Sequence, residues 1–258
     1  MSSFPPKEIA RLAPGETGIA QFAMQVVSLL VGDHVHADQP PRPDVLDLLI
    51  RGAKTGDPAV LGALLGEFRR LRIPAEVVVD LYLPAAANAI GAQWHADEID
   101  ILDCTIAMSR MQNLLRALGR AWRADASNGE GTGSVLMVVP ENEQHILGAM
   151  IATTQLRRLG VSVAVRLAPS WAQLDELFRT RRFDAVFVHV ANLESLDSCD
   201  NLVKTMRRVG KIELPVIAGG SVPLDAGEIK RRTGADLVTR DVRHALQAVG
   251  LERTLELA

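Results

Sequence analysis

The spacing of apolar residues changes once along this chain, and that change constrains the fold more than any other feature. From Asp44 to Trp122 they recur at helical intervals: Val45, Leu48 and Leu49; Leu61, Leu64, Leu65 and Phe68; Val77, Val78 and Leu81; Leu102, Ile106, Leu114, Leu115 and Leu118. Four helices joined by short links imply an antiparallel bundle. Beyond the small, polar stretch 124–133 (ADASNGEGTG), short β-rich runs at 134–140, 161–167, 184–190, 214–218 and 236–239 alternate with helical runs. The helical runs lie near 145–159, 171–182, 195–209, 224–233 and 241–249. Strand and helix in regular alternation mean a doubly wound parallel sheet. The expected class is α/β: an N-terminal four-helix bundle cap, then a Rossmann-like sheet of five parallel strands.

The implied organisation is an extension at 1–41, a bundle at 42–123, a linker at 124–133 and the sheet domain at 134–258. At 258 residues and 48% apolar content, the chain can fill two cores. The extension mixes Pro, Gly and Ser, holds one short helix at Gln21 to Val31, and ends in Asp38-Gln39-Pro40-Pro41-Arg42-Pro43, a linker composition. Asp57-Pro58 and Ile73-Pro74 read as helix starts. Pro84 falls inside the third helix, where it removes a hydrogen bond and should bend it.

Cys104 and Cys199 are too few and too far apart for a disulfide framework. No apolar run approaches the ~18 residues of a membrane span, and the N-terminus lacks a basic region leading into an apolar one. A soluble cytoplasmic protein is expected. Net charge is −3, and the basic residues fall in scattered pairs such as Arg69-Arg70, Arg157-Arg158, Arg207-Arg208 and Arg231-Arg232, so direct nucleic-acid binding is not expected.

In open parallel sheets ligands bind beyond the carboxyl ends of the strands, which brings 140–148, 189–194 and 219–222 around one crevice. The first of these segments reads ENEQHILG. Its His145 is a residue type that binds transition metals, and Glu143 is placed to fix the imidazole tautomer; the pair also reads as ordinary polar loop residues. Gly148 removes a side chain from the first helical turn. Gly219-Gly220-Ser221 ends the fourth strand, where a glycine pair permits positive φ and close backbone contact.

The combination resembles the cobalamin (vitamin B12)-binding domain, which carries Asp-x-His-x-x-Gly, Ser-x-Leu and Gly-Gly after strands one, three and four. Here Glu143-x-His145-x-x-Gly148 and Gly219-Gly220 stand at the matching places, with Gly234-Ala235-Asp236 before the last strand, over 134–250. The resemblance implies that His145 is the lower cobalt ligand and Glu143 its orienter. It also implies that Gly148, Gly219 and Gly220 form a slot for the cofactor's displaced nucleotide tail. The Ser-x-Leu place reads His189-Val190-Ala191 by direct count, or Ala191-Asn192-Leu193 after a two-residue slide. In the first case His189 projects into the tail slot, as a ligand contact or as a hydrogen-bonded strand-end histidine.

In the bundle, Leu83-Pro84, Ile90-Gly91 and Trp94-His95 resemble the helical cap of methionine synthase and of CarH-like light-sensing repressors. There the Trp covers the upper face of the corrin and the following histidine takes the upper cobalt position after light. Trp94 and His95 match by position, whereas the Glu-His pair of those repressors is replaced by Cys104-Thr105, which changes the contacts to an adenosyl group. Domain order and the run His189 to Leu196 are similar to the AerR/PpaA regulators of photosynthesis genes, relatives of the SCHIC domain. The resemblance implies a light-responsive cobalamin-binding antirepressor that acts on a CrtJ/PpsR-type repressor and is not an enzyme. His34 and His36 of the extension would be available to a partner or to the upper face. A corrinoid carrier for a methyltransferase, a haem-binding SCHIC-type sensor and a module without cofactor remain the alternatives.

Overall fold

The computed structural model describes residues 40–55, 57, 59–120, 122, 133–141, 143, 146–210 and 212–251. The expected helix at Gln21 to Val31, His34, His36, Pro58 and most of the 124–133 connector lie outside the described residues. Four helices come first: α1 (Pro43–Lys54), α2 (Val60–Arg70), α3 (Ala75–His95) and α4 (Ile101–Leu118). Then follow β1 (Gly133–Val139), α5 (Ile146–Arg158), β2 (Val161–Leu167), α6 (Trp171–Thr180), β3 (Ala185–His189) and α7 (Leu193–Arg208). The chain continues with β4 (Val216–Gly219), α8 (Ala226–Thr233), β5 (Leu237–Val238) and α9 (Val242–Ala248). All strands are parallel, in the order β2-β1-β3-β4-β5, the doubly wound sheet that the alternation implies.

The sheet is buried on both faces, as its apolar strands require. Side chains alternate across it: Val135, Met137, Val139 and Phe187 meet Ala149, Leu156, Ala245 and Leu246 of α5 and α9. Leu136, Val138, Val186 and Val188 face Leu174, Leu196, Met206 and Ile229 of α6, α7 and α8. Element ends shift from the sequence reading for local reasons. α7 begins at Leu193 because Asn192 and Ser195 form a reciprocal capping box, and α8 waits for the cap of Asp225. β4 begins after Pro215, which has no N–H for the ladder although its carbonyl still accepts from Val186 N at 2.8 Å.

α5 belongs to two cores. Ala149 and Leu156 face the sheet, while Leu147 and Ile151 join the bundle cluster of Val78, Leu83, Ile90, Met111 and Leu114. A polar contact closes the same interface: Asp80 accepts from Gln155 Nε2 at 3.0 Å and pairs with Arg158, whose guanidinium lies 5.1 Å from the Trp122 ring centroid. Asp80 sits in a π-helical turn, Val78–Tyr82, where Leu83 N–H reaches back to the Val78 carbonyl. That widened turn precedes Pro84, which has no N–H for the Asp80 carbonyl and whose ring would crowd it. By length and composition α3 is apolar enough to cross a membrane; in the structure Val78, Val79, Tyr82, Leu83, Ala86 and Ile90 put it at the centre of the bundle.

Both cysteines are buried and free. Burial, with the Asp200 charge adding to it, pushes the Cys199 thiol up to about 12, and burial raises that of Cys104. Neither should react with Ellman's reagent in the native state. The raised value also sets a pH dependence. The folded thiol stays protonated while the unfolded one ionises from about 9, so its contribution to stability is intact below that pH and is lost as pH climbs towards 12. Urea unfolding from pH 8 to 11 should show that decline in the native sequence and a flatter profile in Cys199→Ala.

Candidate functional site

The crevice forms at the carboxyl ends of β1, β3 and β4. After β1 the chain turns at buried Pro140, where Glu143 N–H donates to its carbonyl at 3.3 Å. Glu143 is only 7% exposed. Its Oε2 accepts from Ala191 N at 2.7 Å and from Asn192 Nδ2 at 3.3 Å, across the crevice in the loop after β3. Asn192 in turn caps α7, its Oδ1 accepting from Ser195 N at 2.7 Å. The carboxylate therefore brackets two strand-end loops at the amino end of α7, where the helix dipole favours negative charge. Hydrogen bonds to a charged group contribute about 1.5–3 kcal/mol each. Ala191 and Asn192 entered the sequence reading only as one alignment of the Ser-x-Leu place, not as partners of Glu143; an Asn followed three positions later by Ser at a strand end is a capping signal, but their link to Glu143 spans nearly fifty residues.

His145 lies outside the described residues. His189 ends β3, is 8% exposed, and pairs in register with Gly219. Its ring occupies the space beside Gly148: a Cβ at Gly148 would stand 2.7 Å from His189 Cε1 and 3.2 Å from Nε2. β3 ends at His189, two residues before Ala191. Gly219 and Gly220 have a reason of their own. A Cβ on Gly219 would meet the Thr239 carbonyl at 2.7 Å, and one on Gly220, at φ +146°, would meet the Val190 carbonyl at 1.9 Å. The glycine pair lets the ends of β3, β4 and β5 close on one another. Ser221 follows, half-buried, and Arg240 beyond β5 gives an Nη2–H to the Val222 carbonyl at 3.1 Å; its burial pulls the guanidinium below its usual range.

The structure thus brings Glu143, Gly148, His189, Gly219, Gly220 and Ser221 to one end of the sheet. Trp94 and His95 form a second group on α3, their ring centroids 4.8 Å apart and tilted by 39°. Trp94 is half-buried against the bundle cluster that also includes Leu147 and Ile151 of α5, while His95, the last residue of α3, is exposed. Two large apolar side chains stand open at the strand ends: Leu167, which ends β2, at 58% exposure, and Leu193, which starts α7, at 50%. Ile101 and Leu102 at the start of α4 are exposed as well. Open apolar side chains framing polar strand-end loops suit a large, partly apolar ligand.

No protein-family model matches the chain. It is 42% identical over 179 residues to an uncharacterized 20.5 kDa protein of the bchF-crtJ intergenic region in Rhodobacter capsulatus, covering 69% of this chain and 93% of that protein. Among solved structures it is similar to the monomethylamine corrinoid protein of Methanosarcina barkeri, with a TM-score of 0.58 and 18% identity over 80% of this chain and 94% of that one. A cobalamin-binding protein from Desulfitobacterium hafniense matches with a TM-score of 0.42 and 16% identity over 80% and 97%. The likeness to the corrinoid protein shows that the two chains share a fold.

Proposed function

We propose a light-responsive, cobalamin-dependent regulatory role for this chain, which belongs to the family of the 20.5 kDa protein encoded between bchF and crtJ in Rhodobacter capsulatus. In this reading it is an antirepressor, not an enzyme, and its partner is a repressor of the CrtJ/PpsR type. The observation that carries the cofactor assignment is the strand-end crevice. There a buried Glu143, two residues before His145 in sequence, is tied to Ala191 and Asn192, and Leu167 and Leu193 stand open at the end of β2 and the start of α7.

These residues fit a corrin. Apolar side chains at the strand ends would lie against the ring, and backbone and amide groups of the 189–194 and 219–222 loops suit its amide-bearing rim. His145 would hold the metal from below. Glu143 is committed through Oε2 to Ala191 and Asn192, so its part is to fix the loop on which His145 stands, alongside any bond to the imidazole. Trp94 would cover the upper face, with His95 beside it as a donor. When bound, cobalamin supplies a light-cleavable cobalt–carbon bond and a metal that exchanges its axial ligands. The chain supplies an interface between bundle and α5, built from Leu147, Ile151 and the Asp80–Arg158 pair, through which a changed upper face could alter bundle packing.

The test is a visible-light titration with hydroxocobalamin, methylcobalamin and hemin, before and after illumination. The expected result is a hydroxocobalamin shift that His145→Ala loses, and a methylcobalamin complex that changes on illumination and with it changes affinity for the repressor. A shift with hemin alone would sink the cobalamin reading. Dark methyl transfer to a partner, without a light response, would replace the regulator with a corrinoid carrier.

A further inference from the structure

We propose that Arg157 and Arg166 keep the outer edge of the sheet closed to strand addition, and that the partner they exclude is a second copy of this chain. The inference is independent of the cofactor reading.

A sheet of order β2-β1-β3-β4-β5 has two edges. β5 is two residues long, too short to template another strand. β2 spans seven residues, Val161–Leu167, in unbroken register with β1 and without proline or bulge. Ala168 N–H donates to the Val139 carbonyl at 2.8 Å, so the even-numbered residues of this strand face β1. Val161, Val163, Val165 and Leu167 turn their N–H and C=O groups the other way, where no strand lies. A long, regular, β-branched edge of this kind invites pairing with its own copy.

Two guanidinium groups meet that edge. Arg157 comes from α5 and gives its Nη2–H to the Val163 carbonyl at 3.1 Å. Arg166 starts on the opposite sheet face, with Ala164, and gives its Nη1–H to the Val165 carbonyl at 2.8 Å. In an antiparallel pairing of two copies about Ala164, Val163 of one would face Val165 of the other, and the central bonds would accept at the Val163 and Val165 carbonyls. Those are the carbonyls already held. A carbonyl oxygen can accept twice, so the barrier is bulk and charge at the seam as much as an occupied lone pair. Pairing would also crowd the arginines of both copies along one seam, where like charges repel.

Sedimentation of the full chain, with hydrogen exchange of residues 161–167, tests this. The native chain should not pair through β2, and the Val163 and Val165 amides should exchange fast at every concentration. Arg157→Ala combined with Arg166→Ala should move the sedimenting mass from one chain, 27.9 kDa, towards two, and should slow exchange along β2. The dimer Kd should fall at least about tenfold below any that the native chain shows. Adding Val165→Pro removes an outward N–H without touching the ladder to β1, and should restore the single chain. A native dimer with protected 161–167 amides would overturn the inference. So would a folded double variant that stays single, or one whose association survives Val165→Pro. Should the double variant fail to fold, Arg166→Ala alone serves, because the bond it removes lies within the strand. It should strengthen association about threefold, and no change would equally overturn the inference.

Discussion

Gly220→Ala is expected to lower the stability of the folded chain by about 3–5 kcal/mol, since among the described glycines an added carbon here would meet the nearest neighbouring atom. Two costs coincide at this position. The backbone is at φ +146°, where an L side chain is strained, and the added carbon would stand 1.9 Å from the Val190 carbonyl, so β3 and β4 must separate at the crevice. Two other glycines serve as internal controls. Gly250 has φ +72° with open space around it, so Gly250→Ala should carry only the conformational cost, about 1–2 kcal/mol. Gly62 lies within α2 with nothing within 4 Å, and Gly62→Ala should gain about 0.5–1 kcal/mol from helix propensity. Urea denaturation of the three variants checks the order. Equal losses for Gly220→Ala and Gly250→Ala would mean that the strand ends do not close as described.

Asp80→Ala should cost about 3–5 kcal/mol, because it leaves the Arg158 guanidinium mostly buried without its counter-charge. The side chains are 14% and 17% exposed for Arg158 and Asp80, so solvent screens the pair weakly, and Arg158 Nη1 already lacks a hydrogen-bond partner. Gln155 loses its acceptor as well. The double variant Asp80→Ala with Arg158→Met should recover most of the loss, since an apolar side chain of similar length can lie against Trp122. A double-mutant cycle by denaturant unfolding measures the coupling. If the second substitution adds to the damage of the first, Asp80 and Arg158 do not form the joint between bundle and sheet.

What could be read without coordinates was what the chain encodes locally. The change from a wholly helical period to alternating strand and helix runs appears in the side chains of each short segment, because burial selects every second residue of a strand and every third or fourth of a helix. Caps such as Ser170 with Gln173 and Asn192 with Ser195 lie within four residues. The proline in α3 was legible as a disturbance, but not as a π turn that carries Asp80, because the choice between a bend and a widened turn depends on neighbours from other elements. His145 and the glycines around the crevice stood out by residue type and order alone.

Tertiary structure alone decided which groups meet. Glu143 turns towards Ala191 and Asn192, His189 settles on Gly148, and Gly220 presses on the Val190 backbone, each across tens of residues and each through a contact no local pattern encodes. Nothing in the apolar spacing of α5 tells that Leu147 and Ile151 serve the bundle while Ala149 and Leu156 serve the sheet; both pairs are simply apolar positions on a helix. Period and caps follow from the physics of one segment in water. Partnership across the crevice follows from how the segments close on one another, and that is set only when the whole chain has packed.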